Sequence, residues 1–300
     1  MIRPKAPKKT LDELKSEAGI LFVVATPIGN LEDITIRAVE TLRHVNLIAC
    51  EDTRKSRVLI NHWGIPTRLM SLHRFSESRK IEAVLDKLQK GFSVALITDA
   101  GTPAVSDPGN RLVRAALRSG FKVSPVPGPS SITTALSVSG MDCSSFLYLG
   151  FAPRKESQRK LFFVEIQRQP RTVVFLETAT RILDTLKIAC EHIGSRKMAL
   201  FRELTKVFEE IILGDACSIL ESLESRNSVK GEITVVVEGS AEPGPSVDIE
   251  EAVLELMDEG LSGKRLAIEA YIRFGLNKTA VYQKFLEIKN KCKFQSHDPS

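Results

Sequence analysis

A regular alternation of short apolar runs with amphipathic segments restricts this chain to the α/β class. The apolar runs at 20–25, 47–50 and 92–98 have the length of strands, and the segments between them carry apolar residues at helical spacing. Strands joined by helices require crossover connections, which favour parallel neighbours. We therefore predict a first α/β domain with a largely parallel sheet over residues 20–143.

The pattern changes at residue 144, where strand-like runs begin to outnumber helical segments. This predicts hairpins and a mixed sheet in a second α/β domain over 144–239. Beyond it only helical patterns occur, over 249–293. The remaining segments are predicted to be a flexible lead-in (1–19), a linker (240–248) rich in Pro, Gly and Ser, and a tail (294–300).

Several helix boundaries are predicted from capping residues. Asp33 is expected to cap a helix of the first domain, and Asp107 with Pro108 to begin another. Near the C-terminus, Gly275 supplies a helix stop and Asn277 a cap, which predicts a helix-turn-helix-like unit.

Composition excludes several classes of protein. The five cysteines are odd in number and dispersed without a CxxC pair, which argues against a disulfide framework or a zinc site and suits a reducing compartment. No metal is expected, because the five histidines lack ligand spacing. No apolar run approaches the ~18 residues of a membrane span, and the basic N-terminus contains acids and no apolar core, unlike a secretory signal. The net charge of +5 is weak evidence for an anionic partner.

Three loops rich in Gly, Pro and hydroxyl residues follow predicted strands: 26–31, 99–109 and 127–131. None is a phosphate loop of the Gly-Lys-Ser/Thr type, and no G-x-G-x-x-G occurs in the chain. Each alone could be a structural turn. Together, at the carboxyl ends of parallel strands, they would converge on one edge of the sheet and form a small-molecule pocket.

Six segments occur in the order of one known family: 21–31, CEDTR at 50–54, DAGTP at 99–103, SDPG at 106–109, PGPS at 127–130 and RELTK at 202–206. The sequence resembles the RsmI family, 2′-O-ribose methyltransferases of a cytidine in small-subunit ribosomal RNA. This resemblance implies a two-domain tetrapyrrole-methylase fold with a small C-terminal helical domain, and S-adenosylmethionine bound in the cleft between the domains. It also implies a homodimer.

The resemblance assigns cofactor contacts at eleven positions: Pro27, Asp99, Ala100, Gly101, Thr102, Ser106, Ser130, Ser131, Leu176, Leu204 and Ile233. A ribose hydroxyl is a weak acid, so a general base is useful. The candidates for this role, or for holding ribose or phosphate, are Glu51, Asp52, Arg54, Glu203 and Lys206. Their structural alternatives are an ion-paired helix start for 51–54 and a salt bridge at the domain interface for Glu203 and Lys206.

Contacts to the RNA are predicted from basic residues in two regions: Arg154, Lys155, Lys264, Arg265, Lys278 and Lys284, to which Arg159 and Lys160 could add. A solvated basic helix face is the structural alternative. Two other functions stay open, a small-molecule methylase of the tetrapyrrole type and a non-catalytic ribosome-assembly protein. The cytoplasm is the expected location, and a chloroplast or mitochondrial stroma or matrix is the alternative.

Overall fold

The computed structural model describes residues 18–72, 77–240, 248–274 and 276–295. Most of the predicted lead-in, linker and tail, and the Gly275 helix stop, lie outside the described residues. The chain divides into two compact units. Unit 1 comprises residues 18–134 together with Glu203–Glu209, and unit 2 comprises Ala135–Arg202 with the described residues from Glu210 onward.

Unit 1 contains a five-stranded, fully parallel sheet in the order β3-β2-β4-β1-β5, as the alternating pattern predicts. Its strands are β1 (Ile20–Val24), β2 (Leu47–Cys50), β3 (Leu69–Ser71), β4 (Val94–Leu96) and β5 (Lys122–Val126). Its helices are α1 (Ile36–His44), α2 (Thr53–His62), α3 (Glu77–Gln89), α4 (Asn110–Arg118) and the first part of α5 (Ser131–Val138).

Strand β1, which lies between β4 and β5, is apolar throughout because both faces of the sheet are covered. Phe22 and Val24 pack in one core with Leu42 of α1. Leu21 points to the opposite face and packs with Leu88 of α3. Alternation at period two therefore distributes one strand between two cores.

Two predicted helix starts of unit 1 are wrong. Asp33 lies in a short 3-10 turn (Leu31–Asp33), and α1 is instead capped by Thr35, whose Oγ1 accepts a hydrogen bond from Ala38 N at 3.1 Å. The helix expected from Asp107 begins at Asn110, after Gly109 as N-cap. Gly109 has φ 120°, and a Cβ there would lie 2.7 Å from Leu96, so glycine is required where the loop turns into α4.

Unit 2 contains a mixed sheet in the order β6-β7-β10-β8-β9, in which only the β6–β7 pair is parallel. The strands are β6 (Phe146–Phe151), β7 (Thr172–Thr178), β8 (Met198–Arg202), β9 (Glu210–Gly214) and β10 (Glu232–Val237). The helices are α6 (Glu156–Gln167), α7 (Ile182–Ile193) and α8 (Ala216–Glu224). Phe162, Phe163 and Phe175 pack edge to face in its core.

Three further helices, α9 (Ile249–Asp258), α10 (Gly263–Phe274) and α11 (Lys278–Gln295), share a small apolar core. Asn277 caps α11 as predicted, since its Oδ1 accepts hydrogen bonds from Thr279 N and Ala280 N. Helix α11 extends past the predicted start of the tail at 294. Tyr271 of α10 donates to Glu165 of α6 at 3.3 Å, so the helices pack within unit 2.

Two of the five dispersed cysteines lie together in the structure. Cys190 of α7 and Cys217 of α8 are in sulfur–sulfur contact with their Cα atoms 5.2 Å apart, a separation that a disulfide spans. Their separation of 27 residues in the sequence does not predict that they lie together. In the described part of the chain, no helix is long and apolar enough to cross a membrane and no cluster of His, Cys, Asp or Glu could hold a metal ion.

Candidate functional site

The three Gly/Pro loops follow β4, β1 and β5, which are neighbours in the sheet, and their residues meet at its carboxyl edge. Thr26 and Gly101 form a two-way backbone bridge with N–O distances of 2.9 and 3.1 Å. The Thr26 hydroxyl also donates to the Thr98 carbonyl at 3.2 Å. The loop after β1 is thereby fixed to the loop after β4.

The third loop joins the same cluster through Pro129. Its carbonyl accepts a hydrogen bond from Thr102 Oγ1 at 3.4 Å. Gly101 has φ 73°, and a Cβ there would meet only Ile28 and Pro129 within 4 Å. Ser130 and Ser131 follow directly, where Ser130 O accepts the first hydrogen bonds of α5. The structure therefore brings the predicted cofactor residues of unit 1 together, with Pro27 buried and Ser106 exposed.

A fourth loop, at the end of β2, is tied to this cluster by Asp99. Asp99 Oδ1 accepts a hydrogen bond from Asp52 N at 3.2 Å, and Asp99 Oδ2 lies 2.8 Å from Lys55 Nζ. The carboxylate expected to contact the cofactor is therefore engaged with the loop that contains the catalytic candidates. It is a link between two loops.

The candidates at the end of β2 form the ion-paired helix start that was the structural alternative. Asp52 caps α2 by accepting from Arg54 N at 2.8 Å, and its other oxygen lies 2.7 Å from the Arg54 guanidinium. This contact raises the pKa of Arg54. The Arg54 side chain is 90% exposed and stays accessible to an anionic ligand. Glu51 is half-buried before it, and burial raises the pKa of the Cys50 thiol.

The segment Glu203–Glu209 belongs to unit 1 although the strands on both sides of it belong to unit 2. Thr205 Oγ1 accepts a hydrogen bond from Asn30 N at 3.1 Å. A Cβ on Gly29 would lie 2.5 Å from Lys206 Cγ and 2.7 Å from the Leu204 carbonyl. Glycine at 29 is thus required by the close approach of this segment to the loop after β1.

Within this segment the two catalytic candidates pair with each other. Lys206 Nζ donates to Glu203 Oε1 at 2.8 Å, and both side chains are only partly exposed. Leu204 between them is buried. The position of this pair in the sequence does not predict that it lies near Asn30. The hydrogen bond from Asn30 N to Thr205 Oγ1 shows that it does.

Strained backbone conformations occur in the loop 99–109 and in the segment Glu203–Glu209, and the sequence analysis did not predict them. Among the described residues, four other than glycine have positive φ: Ala104 (68°), Ser106 (60°), Glu203 (53°) and Thr205 (63°). Such conformations cost about 1–3 kcal/mol each and persist where surrounding contacts enforce them, commonly at functional sites. None of these residue types signals a left-handed conformation in a sequence.

The remaining cofactor candidates, Leu176 and Ile233, lie in unit 2 on the adjacent strands β7 and β10. Next to them Glu177, whose side chain is fully buried, accepts hydrogen bonds from Thr178 N and Thr185 Oγ1. It also pairs with Arg181 at 2.5 Å. These contacts connect the carboxyl end of β7 to the start of α7.

The predicted RNA contacts differ in availability. Arg154, Lys155, Lys264, Arg265 and Lys278 are exposed. Lys284 is paired with Glu250 at 3.2 Å and with Glu287 at 3.6 Å, which ties α11 to α9. The suggestion that Arg159 adds to the RNA contacts is wrong, because it is buried and donates to the carbonyls of Pro153 and Arg154.

Comparisons with known proteins agree with this arrangement. Residues 21–219 match the sequence profile of the Tetrapyrrole (Corrin/Porphyrin) Methylases. Ribosomal RNA small subunit methyltransferase I of Mesorhizobium japonicum is 42% identical over 272 residues, which cover 90% of this chain and 92% of the relative. The protein of the same name from Escherichia coli O157:H7 is also 42% identical, covering 90% of this chain and 95% of its own.

Solved structures show the fold. Uroporphyrin-III C-methyl transferase from Thermus thermophilus, complexed with S-adenyl homocysteine, superposes with a TM-score of 0.54 at 17% identity, covering 73% of this chain and 97% of that one. A putative diphthine synthase from Entamoeba histolytica gives 0.53 at 17% identity, covering 80% and 98%. The predicted fold class and family resemblance are confirmed.

Proposed function

The chain belongs to the tetrapyrrole methylase family and, within it, to the ribosomal RNA small subunit methyltransferase I (RsmI) family, and from that membership we propose that it transfers a methyl group from S-adenosylmethionine to the 2′-oxygen of a cytidine in small-subunit ribosomal RNA. The observation that carries the proposal is the convergence of five loops in unit 1. Three suit a cofactor, and two contain the polar residues that a weakly acidic acceptor needs.

The loops after β4, β1 and β5 fit S-adenosylmethionine by their chemistry. Gly101 leaves space beside its Cα, and Thr102, Ser106 and Ser130 offer hydroxyl groups. Ile28 and Leu204 supply apolar surface in the same unit. Bound there, the cofactor supplies an already activated sulfonium methyl group. The loops then contribute chiefly by positioning, which is worth about 7–11 kcal/mol in well-oriented systems.

The Glu203–Lys206 pair is proposed to handle the proton of the attacking hydroxyl. Transfer of the methyl group to the 2′-oxygen would break its bond to the cofactor sulfur and release S-adenosylhomocysteine, and the hydroxyl proton would pass to the Glu203 carboxylate. Lys206 Nζ, 2.8 Å away, holds that carboxylate in place. General-base assistance of this kind contributes roughly 10²–10⁴-fold. Arg54, exposed on α2, is proposed to bind a neighbouring phosphate.

The exposed cations of unit 2 are proposed to bind phosphates of the same RNA. Lys264, Arg265 and Lys278 lie on α10 and α11, the two helices of the helix-turn-helix-like unit. Arg154 and Lys155 precede α6. Lys284 is expected to contribute less, because its charge is compensated by two carboxylates.

Methyl transfer to isolated small ribosomal subunits tests the function. The enzyme is incubated with tritiated S-adenosylmethionine and subunits that lack the modification, and the label is analysed after nuclease digestion. We expect label in 2′-O-methylcytidine. Cofactor binding without transfer to any RNA would favour a small-molecule methylase, and absence of cofactor binding would favour a non-catalytic assembly protein.

We also expect a homodimer in the cytoplasm. Sedimentation velocity distinguishes a dimer from a monomer of 33.2 kDa. Cell fractionation measures the compartment.

A further inference from the structure

Two consecutive apolar side chains project into solvent immediately after the proposed proton-handling pair. Val207 is 93% exposed and Phe208 73% exposed. Neighbouring apolar side chains exposed together can mark an interaction site, whereas isolated ones need no explanation. Phe208 belongs to unit 1 with Glu203 and Lys206.

The backbone that presents Phe208 is tightly held. Glu209 Oε2 accepts a hydrogen bond from Thr205 N at 2.6 Å, and Glu209 N donates to the Lys206 carbonyl at 3.0 Å. Glu203 and Thr205 have left-handed conformations. Because the segment is closed on itself in this way, the backbone that presents the ring has a defined position.

The position of Phe208 relative to the reacting group fits a nucleotide. Phe208 lies two positions after Lys206 in the sequence, so their Cα atoms are at most about 7 Å apart. A ring so placed can reach the base of the reacting nucleotide or of its neighbour.

The acids that follow the ring in sequence are held by contacts within the chain. The two acids that follow it are engaged internally: Glu209 with Thr205 N, and Glu210 with Arg202 and Arg226. Lys206 lies on the other side of the ring in sequence.

From these observations we infer that Phe208 is a stacking platform for an unpaired base of the RNA acceptor, at or next to the methylated nucleotide. The inference rests on the proposed RNA methyltransferase function. Sequence-specific enzymes acting on single-stranded RNA commonly hold splayed bases against aromatic faces. Phe208 would thus position the ribose hydroxyl near Glu203 without touching the reacting atoms, which makes it a positioning residue.

Kinetics on small ribosomal subunits test the aromatic requirement. Phe208→Ala and Phe208→Leu should raise KM for the subunit about 5- to 150-fold, since stacking is worth ~1–3 kcal/mol and 1.4 kcal/mol is a factor of ten. Phe208→Trp should keep KM close to that of the unsubstituted enzyme. The Kd for S-adenosylmethionine should stay unchanged. Leu117→Ala, an exposed apolar residue of α4, is the control. Rescue by Leu as good as by Trp would overturn the inference.

Photo-cross-linking identifies the occupant independently of activity. Full-length protein with p-benzoylphenylalanine in place of Phe208 is irradiated with small ribosomal subunits, and the same label in place of Leu117 is the control. We expect a cross-link to ribosomal RNA at or next to the methylated cytidine. A cross-link only to a second copy of the chain, or to a ribosomal protein, or none while subunit binding persists, would refute it. Failure of the proposed function would instead show as unmethylated RNA with the unsubstituted enzyme.

Discussion

Asp99 joins two loops of the candidate site through one carboxylate: Oδ1 accepts a hydrogen bond from Asp52 N at 3.2 Å, and Oδ2 lies 2.8 Å from Lys55 Nζ. The loop after β4, proposed for the cofactor, is thereby coupled to the start of α2, where Arg54 is exposed. Movement of either loop disturbs the other.

Replacing Asp99 should therefore affect both substrates. Asp99→Asn keeps an acceptor for Asp52 N but loses the ion pair with Lys55, and we expect kcat/KM for the RNA to fall about tenfold, the size of a charge-assisted contact. Lys55→Gln is the matched variant and should reproduce most of the loss. The measurement is steady-state methyl transfer with both substrates varied. Full activity in both variants would show that the coupling is unimportant.

The Glu203–Lys206 pair should control the chemical step. Glu203→Gln is expected to lower the single-turnover rate about 10²–10⁴-fold while leaving the Kd of the cofactor unchanged. Glu156→Gln removes a carboxylate from another short ion pair, that with Lys160, and should leave the rate unchanged. An unaffected rate in Glu203→Gln would move the general base elsewhere.

Gly29 should tolerate no side chain. In Gly29→Ala the Cβ would meet Lys206 and the Leu204 carbonyl, so the 203–209 segment must shift; we expect a loss of about 1–3 kcal/mol in stability and a marked loss of activity. Gly64→Ala is the control, because Gly64 has φ 57° with nothing within 4 Å of a Cβ. It should lose stability through backbone strain alone and keep its activity. Urea unfolding and methyl transfer measure the two effects.

Glu210 predicts a pH dependence of stability. Arg226 and Arg202 lower the pKa of Glu210 from 4.5 to about 2. Because the folded-state pKa is depressed, the pair stabilises the protein above pH 4.5, and this contribution disappears as the pH falls towards 2. Glu210→Gln should therefore lose about 1–2 kcal/mol at pH 7 and much less at pH 3. Urea unfolding at both pH values, with Glu224→Gln as control, checks this; an equal loss at both would contradict it.

The salt dependence of RNA binding should distinguish the basic residues of the C-terminal helices that contact phosphates from those that do not. Each phosphate contact removed lowers the slope of log Kd against log salt by roughly 0.7–0.9. The double variant Lys264→Ala/Arg265→Ala is expected to lower the slope by about 1.4–1.8. Lys284→Ala should change it little, because Glu250 and Glu287 already compensate that charge. Equal slopes in the unsubstituted protein, the double variant and Lys284→Ala would indicate that this helix face is only solvated.

Much of the fold was predictable because it depends on periodic burial. The alternation that places Phe22 and Leu21 in different cores is visible in the sequence, and so is the change to a mixed sheet after residue 144. The three Gly/Pro loops were predicted to converge because neighbouring parallel strands end at one edge.

The rest depends on contacts distant in sequence. Asp107 is a residue type that often caps helices, but residues 104 and 106 are left-handed and Gly109 is the N-cap of α4. Arg159 is a residue type that often contacts RNA phosphates, but its guanidinium donates to two carbonyls of its own chain. In both cases a local rule was overridden by tertiary structure, which a single sequence does not report.

The assignment of Glu203–Glu209 to unit 1 has a consequence for biosynthesis. The sheet of unit 1 is complete once β5 has been made, yet Glu203, Lys206 and Phe208 are added only after three more strands have been synthesised. At roughly 5–20 residues per second, that is about 4–15 s after residue 134. During this interval a nascent chain can form the cofactor loops without the residues proposed to act on the acceptor, so methyl transfer must await the synthesis of at least the first 209 of the 300 residues.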